Sequence, residues 1–199
     1  MASASSQTPR PQLSTFADLL AIPAEQRFHE VLDGEVVAKL MPSGRHGLTQ
    51  NRMGRLLDPF DRKANGPARP GGWWFLSEVE IELARHQVVR PDLAGWRRDR
   101  MPVVPEDYPL RLRPDWVCEV LTDGQGRRRD GIQKRRIYAD HEVPHYWIVD
   151  TERRQLTVLR LSERGYVEVL EAGAAERVRA EPFDSLELPV GVLFGEDTD

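Results

Sequence analysis

The sequence predicts an α/β (α+β) fold in which a central mixed β-sheet is flanked by helices. The periodicity of apolar residues gives the order hairpin, helix, several strands, helix, strand, hairpin, and we find no internal repeat. One mixed sheet with helices packed on it is the simplest architecture that buries these apolar faces. The chain has 199 residues, of which 40% are hydrophobic, and this is long enough for a single domain with a buried core.

The first third of the chain predicts an N-terminal arm, a short helix, a hairpin and a long helix. Residues 1–12 are rich in Ser, Pro and Gln and are expected to form a disordered or loose arm. A short helix is expected over residues 15–20. The dipeptide Asp33-Gly34 between two apolar stretches is a strong signal for a two-residue hairpin. Apolar residues spaced as on one helical face predict the first long helix over residues 46–60.

The remainder of the chain predicts strands, with one further helix and additional pairing at the C-terminus. Gly and Pro residues predict a loop over residues 66–72, and good helix formers predict a helix over residues 127–140. Strands are expected at residues 73–83, 88–96, 116–121 and 145–150, followed by a C-terminal hairpin of residues 155–161 and 166–170. We therefore expect one domain over residues 13–194, with an acidic tail at residues 195–199.

Composition argues against several classes of protein. No apolar run approaches the roughly 20 residues that a membrane-spanning helix requires, so no membrane partner is expected. The N-terminus lacks the features of a secretory signal, and Cys118 is the only cysteine, which makes a cytoplasmic location the default expectation. The net charge of -4 argues against a protein that coats nucleic acid by charge alone, but it leaves local binding open.

Two acidic residues lie within apolar, strand-like segments. Asp92 stands in Val-Val-Arg-Pro-Asp-Leu-Ala-Gly-Trp, and Glu119 stands in Pro-Asp-Trp-Val-Cys-Glu-Val-Leu. Because a carboxylate loses its hydration inside an apolar strand, such a pair is usually compensated by a cation or by basic groups. Mg²⁺ held by Asp92 and Glu119 would supply the activated water and charge stabilisation that phosphodiester hydrolysis requires. Lys134, in the following helix, is the candidate for assisting the water or the transition state.

Positive charge is concentrated just after the second acidic segment, where a nuclease needs a basic rim to hold the phosphate backbone. The candidate residues for contacts with nucleic acid are Arg127, Arg128, Arg129, Arg135 and Arg136. The alternative is that this run is a solvated helix face, which is the commoner meaning of an Arg-rich segment.

In their order along the chain, these motifs resemble the Uma-two group of restriction-endonuclease-like proteins, within the PD-(D/E)XK nuclease superfamily. The resemblance spans roughly residues 28–160, and the ordered set is specific although each motif alone is weak. The motifs are Asp33-Gly34-Glu35, Pro42-Ser43-Gly44-Arg45-His46, Arg90-Pro91-Asp92, Glu119-Val120-Leu121-Thr122, Asp130 with Lys134 and Tyr138, and Val143-Pro144-His145-Tyr146-Trp147-Ile148-Val149-Asp150.

The resemblance implies a restriction-endonuclease-like core in which Asp92 and Glu119 bind Mg²⁺ or Mn²⁺ for cleavage of DNA, with double-stranded DNA as the expected substrate. The common superfamily pattern places a Lys two residues after the second acid, but that position is Leu121 in this chain. The Uma-type pattern takes its Lys from the following helix instead. Lys134 matches that position, and Asp130 lies one turn earlier on the same face.

Further residues are supporting candidates at this site. His46 opens the first long helix and could approach the metal or a DNA phosphate, or it could simply begin the helix. Gln50 lies one turn further on, where superfamily members often carry Glu. Glu80 or its neighbour Glu78 could face the site, or both could form an acidic stripe on an edge strand. Tyr138 could donate a hydrogen bond near the acids.

Three functions are compatible with the sequence. The leading one is a metal-dependent endonuclease, and cleavage of both strands of a duplex favours a homodimer formed through the C-terminal hairpin or the Trp73-Trp74 region. The second is a nuclease-fold nucleic-acid-binding or assembly protein without turnover, suggested by Leu121 and by the acidic net charge. The third is an ordinary α/β domain in which the two acids and Lys134 form a structural ion-pair network.

Overall fold

The computed structural model describes residues 12–39, 41–64, 70–122 and 129–197, with the backbone alone for residues 129 and 130. The predicted arm, apart from Gln12, lies outside the described residues. The helices are α1 (Phe16–Leu20), α2 (Gly44–Leu57) and α3 (Arg135–Asp140), with a π-helical turn at Arg129–Lys134 and 3-10 turns at Ala24–Gln26 and Val190–Phe194. The strands are β1 (His29–Leu32), β2 (Glu35–Ala38), β3 (Trp73–Ser77), β4 (Ile81–Ala84), β5 (Gln87–Val89), β6 (Leu93–Arg97), β7 (Trp116–Leu121), β8 (His145–Asp150), β9 (Gln155–Ser162), β10 (Gly165–Gly173), β11 (Arg177–Val178) and β12 (Leu188–Pro189).

A six-stranded sheet forms the centre of the fold, in the order β10-β9-β8-β7-β6-β3. Its neighbouring strands are antiparallel except for β7 and β8, which run parallel. Parallel neighbours need a crossover connection, and here the π-helical turn and α3 lie between the two strands in the chain. The predicted central mixed sheet is therefore confirmed.

Helices pack on both faces of this sheet, and β7 lies between them with all of its residues buried. On one face, Met53 and Leu57 of α2 belong to the same apolar cluster as Cys118. On the other face, Tyr138 of α3 belongs to a cluster with Val117. Because β7 is covered on both sides, a polar side chain on this strand is held in a fixed and dry position.

A second sheet has four strands in the order β2-β1-β5-β4. Two chain segments run from one sheet into the other, and the sequence predicts each of these segments as one continuous strand. Both of these strand predictions, residues 73–83 and 88–96, are wrong in that each segment is broken. The first breaks at Glu78, whose φ of 54° cannot continue a strand, and the second breaks over residues 90–92, where Pro91 has no N–H for a ladder. The halves of each segment belong to different sheets, so both breaks lie where the chain passes between them.

The local signals for helices and hairpins correspond well to the structure. α2 begins two residues earlier than the sequence predicts because the Ser43 side chain caps it by accepting the N–H of His46 (3.2 Å). At the tip of the β1–β2 hairpin, Asp33 and Gly34 both have positive φ (54° and 78°), as a two-residue turn requires. Within the predicted helix of residues 127–140, the described part is π-helical over Arg129–Lys134 and continues as α3, while residues 127 and 128 lie outside the described residues. In the part of the chain that is described, no helix is both long and apolar enough to cross a bilayer.

Candidate active site

Asp92 lies in the break between β5 and β6, one residue before β6 begins, and its side chain is buried. Its carboxylate accepts hydrogen bonds from the backbone N–H of Val120 on β7 (2.6 Å) and from the ammonium of Lys39 (2.6 Å). His46 Nε2 lies 3.0 Å from the same carboxylate. Burial alone would raise the pKa of Asp92, but Lys39 and His46 outweigh burial and hold that pKa below its ordinary value. Asp92 is therefore a buried carboxylate that stays ionised.

Glu119, in the middle of β7, is fully buried. Its Oε1 accepts hydrogen bonds from Lys134 Nζ (2.9 Å) and from the Tyr138 hydroxyl (2.7 Å). Lys134 Nζ also lies 2.9 Å from Oε1 of Glu30 on β1, so its ammonium bridges two buried carboxylates. The π-helical turn and α3 thus supply two groups that orient Glu119.

The two acids lie near each other where β6 adjoins β7. Leu93, the residue after Asp92, pairs with Cys118, the residue before Glu119, in the antiparallel ladder between these strands. The Asp92 carboxylate also accepts the backbone N–H of Val120, the residue after Glu119. Both carboxylates raise the pKa of one shared neighbour, Lys39. The structure therefore brings together the two acids that the sequence analysis singles out.

Lys39, directly after β2, brings a positive charge into the centre. Its Nζ donates hydrogen bonds to Glu78 (2.7 Å), to the backbone carbonyl of Arg90 (2.8 Å) and to Asp92 (2.6 Å). Burial would lower the pKa of Lys39, but Asp92, Glu119 and Glu78 together outweigh burial and raise it to about 12. Lys39 is therefore a permanent cation near neutral pH and cannot serve there as a base.

The donor set of this centre suits a hard divalent cation. Carboxylate oxygens such as those of Asp92 and Glu119 are the ligands that Mg²⁺ prefers, and one or two of them commonly suffice. The centre already stabilises the ammonium of Lys39, and Glu30 Oε2 is buried without a hydrogen-bond partner among the described residues. Those residues include no group of three or more His, Cys, Asp or Glu side chains that could hold a metal. A bound ion would therefore depend on the two acids together with water and substrate oxygens.

An open cleft of about 830 Å³ adjoins the centre. One wall is a face of α2, and Glu78 forms part of the opposite side. Gln50, which lines the cleft, donates a hydrogen bond of 2.8 Å to the backbone carbonyl of Asp92, and Glu78 contacts Lys39. A substrate in this cleft would therefore meet the residues that hold Asp92 in place.

Comparison with protein families identifies the kind of protein to which this centre belongs. The family model Uma2, described as "Putative restriction endonuclease", matches residues 15–191. The chain belongs to the Uma2 family. This is the Uma-two group that the ordered motifs resemble, so the family predicted from the sequence is confirmed.

The restriction-endonuclease-like fold is also found in a solved structure, described as "a putative nuclease belonging to DUF820 from Anabaena variabilis ATCC 29413". That structure matches this Uma2 protein with a TM-score of 0.66 at 20% sequence identity, over 90% of this chain and 97% of that chain. At this level of identity the likeness shows the fold alone. No curated protein gives a significant match.

In this Uma2 protein, most of the supporting residues predicted from the sequence contact the two acids. His46 contacts the Asp92 carboxylate and Gln50 contacts the Asp92 backbone, while Tyr138 contacts Glu119. The side chain of Asp130 lies outside the described residues. The chemical roles of these residues stay predictions.

Glu78 and Glu80 separate in the structure. The sequence analysis places them on one face of a continuous strand, but the break at Glu78 removes that alternation. Glu78 contacts Lys39 in the centre, whereas Glu80 is buried beside Arg90, with 3.7 Å between its Oε1 and Arg90 Nη1. The member of the pair that contacts the centre is therefore Glu78.

The predicted nucleic-acid-binding residues that the structure describes lie outside the cleft and have contacts within the protein. Arg135 donates to the backbone carbonyl of Tyr166 (3.0 Å), and Arg136 pairs with Asp33 (2.5 Å) and Asp140 (3.2 Å). Outside the described residues lie Arg127, Arg128 and the side chain of Arg129. Contact of these five residues with nucleic acid stays a prediction.

Two residues of the centre, Glu30 and Lys39, are not among the site residues predicted from the sequence. Glu30 is 1% exposed and accepts hydrogen bonds from the backbone N–H of Arg90 (2.7 Å) as well as contacting Lys134. It stands in Phe-His-Glu-Val-Leu, an acid within an apolar segment, which is the same signal that indicates Glu119. Lys39 follows a strand of ordinary alternation, and nothing local marks it as buried.

Proposed function

We propose that this Uma2 protein is a Mg²⁺-dependent endonuclease that hydrolyses phosphodiester bonds in double-stranded DNA, with Mn²⁺ as an alternative ion. The observation that carries the proposal is that Asp92 and Glu119, two buried carboxylates, both act on the ammonium of Lys39 beside an open cleft. Membership of the Uma2 family supports a nuclease in general terms. The metal and the substrate are inferred from the chemistry of the centre.

Asp92 and Glu119 would hold the metal, since both are buried carboxylates that act on the same ammonium, that of Lys39. When bound, Mg²⁺ would polarise the scissile phosphate and lower the pKa of the attacking water. Asp92 is suited to this role because Lys39 and His46 keep its pKa low and its carboxylate ionised.

Lys39 and Lys134 would have different tasks. Lys39, with a pKa of about 12, keeps its proton and can donate a hydrogen bond to a phosphate oxygen that develops negative charge. Lys134 is 1% exposed and bridges Glu119 to Glu30, so its burial favours positioning of Glu119 over direct contact with the substrate. This refines the role that the sequence analysis gives to Lys134.

Three other side chains would keep the acids in one arrangement. Tyr138 donates to Glu119, His46 contacts the Asp92 carboxylate, and Gln50 holds the Asp92 backbone. Groups of this kind fix the direction of a ligand oxygen and thereby support metal binding. We assign all three to positioning rather than to proton transfer.

The face of α2 that borders the cleft suits contact with a phosphate backbone. α2 carries Arg45, Arg52 and Arg55 and no acidic residue between its ends, so it is basic although the whole chain has a net charge of -4. Of these three arginines, Arg55 lines the cleft, whose lining also includes the acids Asp58 and Glu78. Gly47 and Gly54 line it as well, and an added Cβ at either glycine would meet nothing within 4 Å. Phosphate contacts of this type position nucleic acid without reading its bases.

Cleavage of plasmid DNA tests the proposed activity. The parent protein is expected to nick or linearise supercoiled plasmid with Mg²⁺ or Mn²⁺ and to leave it intact with EDTA. Asp92→Ala and Glu119→Ala are expected to lose at least about 100-fold in rate, because each removes a metal ligand. Glu187→Ala, which changes an exposed acid outside β10, serves as the control. Equal cleavage by all four proteins, or none by the parent, would contradict the proposal.

A second function is a nuclease-fold protein that binds nucleic acid or takes part in an assembly without turnover. The observation that favours it is the pairing of both acids with buried ammonium groups, Asp92 with Lys39 and Glu119 with Lys134. Leu121 at the usual Lys position points the same way. This function predicts retention of DNA without metal-dependent cleavage, whereas a purely structural ion-pair network predicts no Mn²⁺ binding that depends on both acids.

We also propose that the protein acts as a homodimer, since two paired sites can cut both strands of a duplex. β10 lies at one edge of the central sheet, and Val167 on this strand is 41% exposed. The Trp73-Trp74 region is less suitable, because Trp73 is buried and the Arg98 guanidinium lies 3.3 Å from the centre of the Trp74 ring. Light scattering is expected to give the mass of two chains, and a monomer at micromolar concentration would contradict the dimer.

A further inference from the structure

A second pocket adjoins the cleft of the candidate active site. It has a volume of about 310 Å³ and lies between the connection from β3 to β4 and the segment of residues 104–110. Glu78 lines both the pocket and the cleft, so the two meet at the residue that contacts Lys39. We term it the Glu80 pocket, and the residues that matter for its chemistry are Glu80, Arg90, Tyr108, Leu76, Val104 and Leu110.

Glu80 is a buried acceptor without a donor. Glu80 is 4% exposed, and neither of its carboxylate oxygens has a hydrogen-bond partner among the described residues. Arg90 Nη1 is 3.7 Å from Oε1, an ion-pair distance that is too long for a hydrogen bond. Burial raises the pKa of Glu80 against the opposing effect of Arg90 and Arg27. A buried carboxylate usually accepts hydrogen bonds, and no residue in the described part of the chain donates one to Glu80.

Arg90 places a permanent positive charge beside Glu80 in the pocket. Its Nη1 donates to the backbone carbonyl of Arg27 (3.2 Å), and its guanidinium lies 4.8 Å from the centre of the Phe28 ring. Because this permanent cation already lies beside Glu80, a metal ion is a poor occupant of the pocket. A neutral ligand with N–H donors fits the available charge better.

The walls of the pocket are apolar and partly aromatic. Leu76, Val104 and Leu110 line it, and Tyr108, which is 51% exposed, stands at its side with its ring packed edge-on against Phe16 (5.3 Å between centroids). An apolar slot with an aromatic ring and a buried acceptor has the properties of a site for a flat, heterocyclic group. Its volume is large enough for a nucleobase.

We propose that the Glu80 pocket binds an unpaired guanine base of the nucleic-acid substrate, with the Glu80 carboxylate accepting hydrogen bonds from the guanine N1–H and N2–H. Guanine presents two parallel donors to the two oxygens of a carboxylate, whereas adenine and cytosine present a donor next to an acceptor and thymine presents one donor between two acceptors. The inference rests on the proposed function in that the base belongs to the strand whose backbone occupies the cleft. A base must leave its stack to enter the pocket, so the site favours nucleotides that are already unpaired.

Binding of the four deoxynucleoside monophosphates tests the pocket separately from cleavage. Isothermal titration of the full chain with dGMP, dAMP, dCMP and dTMP in EDTA requires no metal and no turnover. The parent protein is expected to bind dGMP about 10-fold or more tightly than the other three. Glu80→Gln offers one donor and one acceptor, so it is expected to remove the preference for dGMP and to improve binding of dAMP relative to dGMP.

A matched pair of valine variants checks the place of binding. Val104 lines the pocket, and the adjacent Val103 is 75% exposed and does not line it. Val104→Trp is expected to fill the pocket and abolish binding of dGMP, while Val103→Trp is expected to bind like the parent. This pair decides the question even if Glu80→Gln does not fold.

The result that would overturn the proposal is absence of binding, equal binding of all four nucleotides, or a guanine preference that survives in Glu80→Gln or in Val104→Trp. Its failure is distinguishable from failure of the nuclease proposal. An Asp92→Ala variant that cannot cleave is still expected to bind dGMP, whereas a protein that cleaves plasmid but ignores dGMP would retain the nuclease function and exclude the base pocket.

Discussion

Asp92 and Glu119 are tolerated inside an apolar sheet because each carboxylate has a buried ammonium within hydrogen-bond distance. Lys39 Nζ lies 2.6 Å from Asp92, and Lys134 Nζ lies 2.9 Å from Glu119. Removing one partner of a buried ion pair typically costs about 3–5 kcal/mol, although the intact pair adds little stability. A divalent ion on the two acids would replace part of this compensation, so metal binding and stability should be linked.

Replacement of Lys39 by Met is expected to destabilise the metal-free protein and to tighten Mn²⁺ binding. The change removes the Lys39 ammonium from Asp92 and Glu78, at a cost on the order of 3 kcal/mol, and it removes a charge that competes with the metal. Thermal unfolding with and without Mn²⁺ measures both effects, with Lys63→Met at an exposed position as the control. An unchanged melting temperature without metal, or weaker Mn²⁺ binding, would contradict this interpretation of Lys39.

Glu80→Gln is expected to stabilise the protein at neutral pH and to have little effect in acid. Burial raises the pKa of Glu80 in the folded state. The contribution of the Glu80 side chain to stability is therefore fully present below its unfolded-state pKa of about 4.3, and it is lost as pH rises through its folded-state pKa. At pH 7 the variant removes a buried charge, with a gain on the order of 1 kcal/mol.

Urea unfolding at pH 7 and pH 4 measures this difference, and Glu168→Gln provides an exposed control. A lower free energy of unfolding for Glu80→Gln at pH 7 would show that the carboxylate is favourable where it lies.

Asp92 and Glu119 carry a local signal in the sequence, whereas Lys39 does not. Asp92 and Glu119 are recognisable because an acid inside an apolar segment is unusual, and Glu30 carries the same signal. Lys39 has no such signal, because its burial results from the meeting of β2 with the breaks at Glu78 and Asp92. Contacts between residues so distant in the chain depend on tertiary structure and leave no local pattern.

At the level of elements, the β1–β2 hairpin and the β7–α3 unit build the centre from opposite sides. The hairpin supplies Glu30 on β1 and Lys39 directly after β2, while β7 and the following turn supply Glu119 and Lys134. Lys134 joins the two units by contacting both Glu30 and Glu119. The turn of the hairpin is therefore important for the position of two residues in the centre.

Gly34→Ala is expected to destabilise the fold by about 2 kcal/mol. Gly34 has a φ of 78°, and an added Cβ would lie 2.7 Å from the side chain of Leu13. Gly165 has a φ of 99° with nothing within 4 Å, so Gly165→Ala isolates the backbone effect and is expected to cost about 1 kcal/mol. Chemical unfolding measures both variants, and equal losses would show that Leu13 moves aside at no cost.

Most element positions follow from local patterns, but the assignment of strands to sheets does not. β7, β8 and the turn at Asp33-Gly34 occur where apolar runs and turn residues predict them. The breaks at Glu78 and over residues 90–92 are less visible, because a non-glycine residue with positive φ is uncommon and alternation continues on both sides. Alternation specifies a strand but does not specify its partner.

At the scale of the whole molecule, charge is distributed by element rather than evenly. The net charge of -4 argues against binding of DNA by charge alone, yet α2 carries three arginines and no acid between its ends, and one of them, Arg55, lines the cleft. The TM-score of 0.66 with a structure only 20% identical shows that the layered sheet tolerates extensive change in sequence. In such a fold, function depends on the few buried charges and on the cleft that reaches them.

Titration of the metal-free protein with Mn²⁺, followed by electron paramagnetic resonance of the free ion, measures whether Asp92 and Glu119 together bind a divalent ion. We expect one Mn²⁺ site per chain, weakened at least about 10-fold in both Asp92→Ala and Glu119→Ala and unchanged in Glu168→Ala. Equal binding of Mn²⁺ by the parent and by either acid variant, or no binding by the parent, would contradict it.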